Sequence, residues 1–459
     1  MKKRAVTVIV GVFLSVLVIG GILFGSAVYD IRHHHFDGND YSSVSWKLDG
    51  DVATVTGNGE MIPFYKVWNF YVWEREQVNP FYSLAEHLYK EFPVRKIVIG
   101  KGITGLEEYY NPLSHCTNLT EIVVEEGNPY LTVVDNVLFN KDKTVLLAYP
   151  KGSKATSYSV PHGVTEIGSD AFSETTELQS VSLPESITKI GYFAFAGCDG
   201  LREVGLPEGL TTIGTSAFLG CRTLEEIVLP DSLSSLENCA FSGCQKLTSV
   251  FIPAGLTKIE ESTFADCPSL IEFKTATDSE SFCAMDGILF NKDRTVLVRF
   301  PEGMPGNIYH VPEGVKEIAD SAFEGCRNLP YVFLPETLLR IGDGAFLNCE
   351  SLRGVTIPDS VQRIETAAFE DCRMLTEAII GKGVTYIGTE AFYNNPKLKT
   401  VTLSANVKEI GSNAFGFCNG AIGYGSPLPG FTLRCEENTA AQAYAEKNDV
   451  PFEILSDES

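Results

Sequence analysis

The sequence predicts a β-rich solenoid of 23-residue turns with short parallel strands, an N-terminal β-rich cap, a C-terminal helical cap and one N-terminal transmembrane helix. Three observations predict the solenoid. Phe172, Phe195, Phe218, Phe241 and Phe264 stand 23 residues apart, and Phe323, Phe346, Phe369, Phe392 and Phe415 repeat the spacing. One frame recurs around each Phe, as in IGYFAFAGCDGLREVGLPEGL from Ile190 to Leu210. The two series are themselves offset by 151 residues, Phe172 to Phe323 and Cys116 to Cys267 alike. Self-similarity at such a period marks an architecture in which each unit buries its apolar face only against its neighbours.

In chain order, Lys2, Lys3 and Arg4 precede an uncharged run from Ala5 to Tyr29. About twenty apolar residues cross a bilayer, and a positive flank stays on the cytoplasmic side. Residues 1–29 therefore read as a cytoplasmic stub and signal anchor of a single-pass membrane protein, with the remainder extracellular. Gly25 and Ala27 also suit cleavage after Ala27, which would make the protein secreted. Residues 30–44, with His33, His34 and His35, read as a solvated juxtamembrane linker. Residues 45–96 differ in composition, with Trp46, Trp68 and Trp73. They read as an N-terminal cap of strands followed by a helix from Tyr82 to Glu91, because a solenoid must cover its exposed ends.

The solenoid itself is expected over residues 97–418. Leu201, Val204 and Leu206 fit an L-x-x-V-x-L pattern, which makes the turn a leucine-rich repeat. Val204 and Leu206 alternate inward on a short strand, while Glu203 and Gly205 point outward. Pro207 ends the strand, since it cannot donate to a ladder. Leu210 and Ile213 return along the opposite wall, Gly214 permits a tight bend, and Ala217 and Phe218 fill the end of the coil. Two similar strings, VLFNKDKTVLLAYP from Val137 to Pro150 and ILFNKDRTVLVRFP from Ile288 to Pro301, read as two strands around a polar turn. The solenoid is thus two blocks offset by 151 residues. Residues 419–459 form the C-terminal cap and tail, with a helix starting at Asn438 or Thr439 and running through Lys447.

The frame IGxxAFxxCxxLxxVxLP, the LFNKDxTxL string and the tail from Thr432 to Leu455 resemble the BspA-like leucine-rich repeats, also described as the Treponema pallidum type. The resemblance runs from about Ile97 to Leu455, and Ser45 to Phe64 is similar to the β-rich lead-in of such proteins. It implies a cell-surface or secreted binding protein, and it carries no shared catalytic residues. Leu113 stands in place of the Phe, and Thr175 and Asn395 in place of the Cys.

Composition and motifs narrow the function further. A net charge of −23, with no basic cluster beyond the first four residues, argues against nucleic acid. No G-x-S-x-G, H-E-x-x-H or G-x-x-x-x-G-K-[ST] motif occurs, and His162 and His310 have no evident nucleophile nearby. No enzymatic role, metal or cofactor is expected. Nine of the twelve Cys fall three residues after the Phe position, which reads as a ladder of inert buried thiols. Cys239, Cys283 and Cys435 lie outside it, so a disulfide is not ruled out by spacing.

Outward strand positions are free to carry specificity. In the first block two adjacent turns present Ser157, Ser159, Ser180 and Ser182; the positions 151 residues later are Ile308, His310, Tyr331 and Phe333. Exposed apolar residues gathered on one face mark interaction sites. These four, with Phe251 and Ile379, are the expected contact patch for an extracellular protein. Glu203, Glu226, Glu272 and Glu377 share the face as a solvated acidic set. The expected function is protein binding or adhesion by a membrane-tethered surface protein. The alternative is a glycan-binding or structural display protein of the cell envelope.

Overall fold

A computed structural model describes residues 44–61, 94–106, 111–113, 116–260, 262–420 and 423–455. The expected membrane segment, the His33–His35 run and the helix from Tyr82 to Glu91 lie outside these residues. Among the described residues no helix is long and apolar enough to cross a membrane. The chain divides into two compact units, residues 1–141 and 142–459.

In the first unit, Val44–Asp49 and Val52–Gly57 form an antiparallel pair. Val52–Gly57 then pairs in parallel with Lys96–Ile99, which pairs in parallel with Glu121–Val124. The lead-in is β-rich, as its resemblance implies, and Ala53, Val55, Ile97 and Ile99 point into the core. Leu131–Val134 and Val137–Asn140 form a second antiparallel pair.

The second unit is a solenoid with two rows of parallel strands. One row holds strands of three or four residues, such as Ser180–Ser182, Glu203–Gly205, Tyr331–Phe333 and Glu377–Ile380. The other holds two-residue strands, such as Lys189–Ile190, Thr212–Ile213, Arg340–Ile341 and Arg363–Ile364. Partners in both rows are 23 residues apart, Val181 beside Val204 and Ile190 beside Ile213. Between the rows the Phe side chains stack: Phe195 and Phe218 lie 5.0 Å apart at 3°, and Phe346 and Phe369 4.9 Å apart at 4°. Tyr149 and Phe300, at the ends of the two LFNKD strings, start each stack at 5.2 and 5.0 Å from Phe172 and Phe323. Offset stacking of this kind adds to the gain from burying each ring.

Two expectations are refined. The string from Ile288 to Pro301 holds two antiparallel strands around its polar turn, Ile288–Asn291 and Val296–Arg299, as expected, but it is not the whole enlargement. Phe282–Met285 precedes it and pairs antiparallel with Ile288–Asn291, so the enlargement is a three-stranded meander. Its last strand, Val296–Arg299, joins the short-strand row beside Glu317–Ile318. Gly214, in turn, does not adopt a left-handed conformation. A Cβ there would lie 3.0 Å from the carbonyl carbon of Gly191 and 3.1 Å from the nitrogen of Tyr192, so the glycine lets one turn lie close on the last. The left-handed residues are found two positions later, at Phe193 (φ 52°), Ser216 (φ 56°) and Cys239 (φ 55°).

The C-terminal helix, Ala440–Lys447, has Thr439 as its N-cap, whose side chain accepts from the Gln442 N–H. Tyr444 sits edge-on to Phe415, the last Phe of the 23-residue series.

Candidate binding surface

Alternation along the long-strand row decides what faces solvent. In Tyr331–Phe333 the middle residue, Val332, is buried and its two neighbours are exposed. Ile308–His310 pairs with this strand in register, Ile308 beside Tyr331 and His310 beside Phe333. The four side chains thus form a two-by-two cluster. Ile308 is 57% exposed, Phe333 50% and Tyr331 41%. His310 and Phe333 stack with ring centres 4.5 Å apart and 10° between planes.

The other two residues of the expected patch lie apart from this cluster. Ile379, half exposed, is beside Thr356. Thr356 occupies the outward position on the strand Gly354–Ile357, which follows Tyr331–Phe333. One turn therefore separates Ile379 from Phe333. Phe251 lies in a different three-stranded run, between Glu226–Val228 and Glu272–Thr275. Its partner there is Val228, which is 70% exposed and was not among the expected residues. Val228 occupies in the first block the position of Ile379 in the second, 151 residues on, so the comparison of copies could have found it.

Two shallow depressions flank the cluster. One, of about 420 Å³, is lined by Tyr331, Arg353, Gly354, Met374, Thr376, Glu377 and Lys397. The other, of about 520 Å³, is bounded by Pro305, Asn307, Asn328, Pro330 and, again, Arg353 and Met374. The frame gave no signal for Arg353, Met374 and Lys397, which sit in the variable stretch just before each strand. Among the described residues neither Arg353 nor Glu377 has an ion-pair partner, while the Lys397 ammonium donates to Met374 Sδ at 2.9 Å. Of the other acidic residues, Glu203 and Glu226 are exposed, and Glu272 pairs with Lys274 at 2.5 Å.

The thiols of the ladder face inward. Cys221 Sγ donates to Phe195 O at 3.1 Å, and Cys372 Sγ to Phe346 O at 3.2 Å. Asn395 makes the same contact to Phe369 O through its amide at 2.9 Å, which explains why this position accepts either residue. All twelve Cys are free thiols. Burial pushes Cys244 and Cys326 well above the ordinary thiol range and Cys267 to about 12, so these sulfurs stay protonated and unreactive. Among the described residues no group of three or more His, Cys, Asp or Glu is placed to hold a metal ion. What the outward face offers is contact area with a few unpaired charges.

The model of the BspA type leucine rich repeat region matches residues 148–271 and 307–421 in six copies, more than half of the chain. No curated protein matches the chain. Among solved structures, a leucine rich cell surface protein from Faecalibacterium prausnitzii is 23% identical with a TM-score of 0.55, covering 92% of this chain and 97% of its own. The pneumococcal vaccine antigen PcpA is 17% identical over 90% of this chain and 97% of its own, with a TM-score of 0.48. A leucine rich repeat protein from T. pallidum is 30% identical over 47% of this chain and 86% of its own, with a TM-score of 0.32. The first of these shares the fold.

Proposed function

This chain belongs to the BspA-type leucine-rich-repeat family, and on that premise we propose that it is a non-enzymatic surface protein that binds other proteins through the outward face of its second block. The observation that carries this reading is the exposed cluster of Ile308, His310, Tyr331 and Phe333. The fold does not require it, since the same positions in the first block are Ser157, Ser159, Ser180 and Ser182 on strands that pair identically. Large apolar side chains held in water cost solubility and invite unwanted association. Three of them beside a stacked His, where four serines suffice, point to selection for contact. The basic flank and apolar run at residues 2–29 support a membrane tether with the repeats outside the cell. A cell-surface description also attaches to the Faecalibacterium prausnitzii protein.

An array of extracellular matrix proteins, bacterial surface proteins and glycans, probed with the full chain, tests the reading. Protein-selective hits are expected. They should weaken at least about tenfold in the variant with Ser at 308, 310, 331 and 333, because aromatic anchors carry most of the energy at interfaces. The variant should melt no earlier than the native chain. Binding left unchanged by the four serines would overturn the assignment, and carbohydrate hits alone would give the face to glycans instead.

A further inference from the structure

The outward rows of the second block are not filled evenly. Tyr331 and Phe333 stand on one strand and Glu377 and Ile379 on the next strand but one. Between them the strand Gly354–Ile357 presents only Gly354 and Thr356 outward. A Cβ added at Gly354 would meet nothing nearer than 3.8 Å. The result is a trough one turn wide, running along the strands. Its floor is Gly354 and Thr356, and its walls are two aromatic rings on one side and Glu377 and Ile379 on the other. Its end near Gly354 opens into the depression that holds Arg353 and Lys397.

The width of the trough follows from the strand spacing. Adjacent parallel strands lie about 4.8 Å apart, so Phe333 and Ile379 flank a gap of about 9.6 Å between side-chain rows. A flat ring placed midway would sit about 4.8 Å from each wall. That is the spacing of the stacked rings inside the solenoid, 4.7 Å for Phe323 and Phe346 and 5.0 Å for Phe369 and Phe392. On the outer face the same stack has already begun, with His310 against Phe333 at 4.5 Å, and it stops at Thr356. The corresponding place in the first block has Gly205 as floor but Ser182 and Val228 as walls, so it offers no ring to stack on.

We infer that the trough over Thr356 is a specificity subsite that takes one aromatic side chain of a protein partner, inserted between Phe333 and Ile379. This rests on the protein-binding reading of the same face and adds the chemistry of what is bound. The charges set the direction of the bound segment. At the Gly354 end two cations, Arg353 and Lys397, outnumber one carboxylate, Glu377, so an acidic group about two residues from the aromatic one is placed to meet them. An extended segment advances about 6.6 Å over two residues, the same distance that separates Thr356 from Gly354 along their strand.

The test pans a phage library of random 12-residue peptides against the full chain, then measures the selected peptides as synthetic material by fluorescence anisotropy. Two variants at an exposed position of the floor separate the outcomes. Thr356→Ser keeps the trough open, and Thr356→Trp fills it with the chain's own ring. The expected consensus has one Trp, Tyr or Phe with an Asp or Glu two residues away. Its affinity should be kept in Thr356→Ser and fall at least about tenfold in Thr356→Trp, both melting as the native chain does. A consensus without an aromatic residue, or equal affinity for Thr356→Trp, overturns the subsite. The protein-binding reading then still stands if the four-serine variant loses the same peptides. Glycan hits with no peptide consensus overturn both.

Discussion

Glu302 and Lys151 occupy equivalent positions in the two blocks, 151 residues apart, and carry opposite charges in buried settings. The Lys151 ammonium donates to Ser173 Oγ at 2.8 Å. Glu302 instead accepts from Arg299, itself buried, at 2.9 Å, and Arg299 also donates to Phe264 O and Ser321 O. Burial outweighs the attraction of Arg299 and pushes the Glu302 carboxyl up to about 7. Folding therefore favours the protonated form. The stabilisation from this group is complete below the ordinary glutamate range and is lost as the pH rises through about 7. Urea midpoints measured from about pH 5 to about pH 8 should fall in the native chain, and fall less in Glu302→Gln, which keeps an oxygen for Arg299. Glu370, pushed up to about 7 by burial and then by Glu390 and Asp371, leaves a slope common to both proteins. Equal slopes would place the titration elsewhere. None of this was legible in the sequence. Neither Arg299 nor Glu302 carries a signal of burial in the sequence, and the first block has Ala148 and Lys151 in their places.

At the scale of the element, the last turn has no following turn to take up its backbone groups, and the C-terminal helix replaces one. Tyr444 Oη donates to Phe415 O at 2.9 Å and accepts from Phe415 N–H at the same distance. Burial pushes this phenol up to about 12, so it remains a donor at any pH the protein meets. Tyr444→Phe should keep the ring packing and cost about 1–3 kcal/mol by leaving both groups of Phe415 unpaired. Hydrogen exchange should then quicken first around Ala414–Phe415. Protection unchanged there would mean that the helix covers the end by apolar contact alone. The helix itself was legible, because Thr439 followed by an alanine-rich stretch is a strong start signal. So were the strands, since each inward Val, Ile or Leu recurs every 23 residues. The strand Phe282–Met285 was not. Its sequence, FCAM, has no alternation, and it forms only because Ile288–Asn291 folds back on it. The left-handed Phe193 and Cys239 were equally hidden, as neither residue type favours that conformation. At the candidate surface, the cluster of four was readable because one copy could be subtracted from the other. The trough was not, because it consists of what Gly354 and Thr356 lack.

For the whole molecule, stability should be close to a sum over turns and their interfaces, so a turn can be removed if the columns stay in phase. Deleting residues 190–212 joins Lys189 to Ile213 and keeps every 23-residue column. Deleting residues 341–363 does the same in the second block, joining Arg340 to Ile364. Each loses one stacked Phe and one pair of strands, Phe195 or Phe346. Both proteins should fold with a similar modest fall in melting temperature, while a deletion of about 20 residues, out of phase with the repeat, should not yield a cooperative melt. The two in-phase deletions differ in what they do to the outward face. The first leaves all six residues from Tyr331 to Ile379 that form the trough. The second removes Arg353, Gly354 and Thr356 and brings Tyr331 and Phe333 directly beside Glu377 and Ile379, so the floor and one cation go while every wall residue remains. Peptides selected on the native chain should bind the first deletion as they bind the native chain and the second at least about tenfold more weakly. Equal loss in both would mean that binding depends on the curvature of the whole row and not on the gap between Phe333 and Ile379.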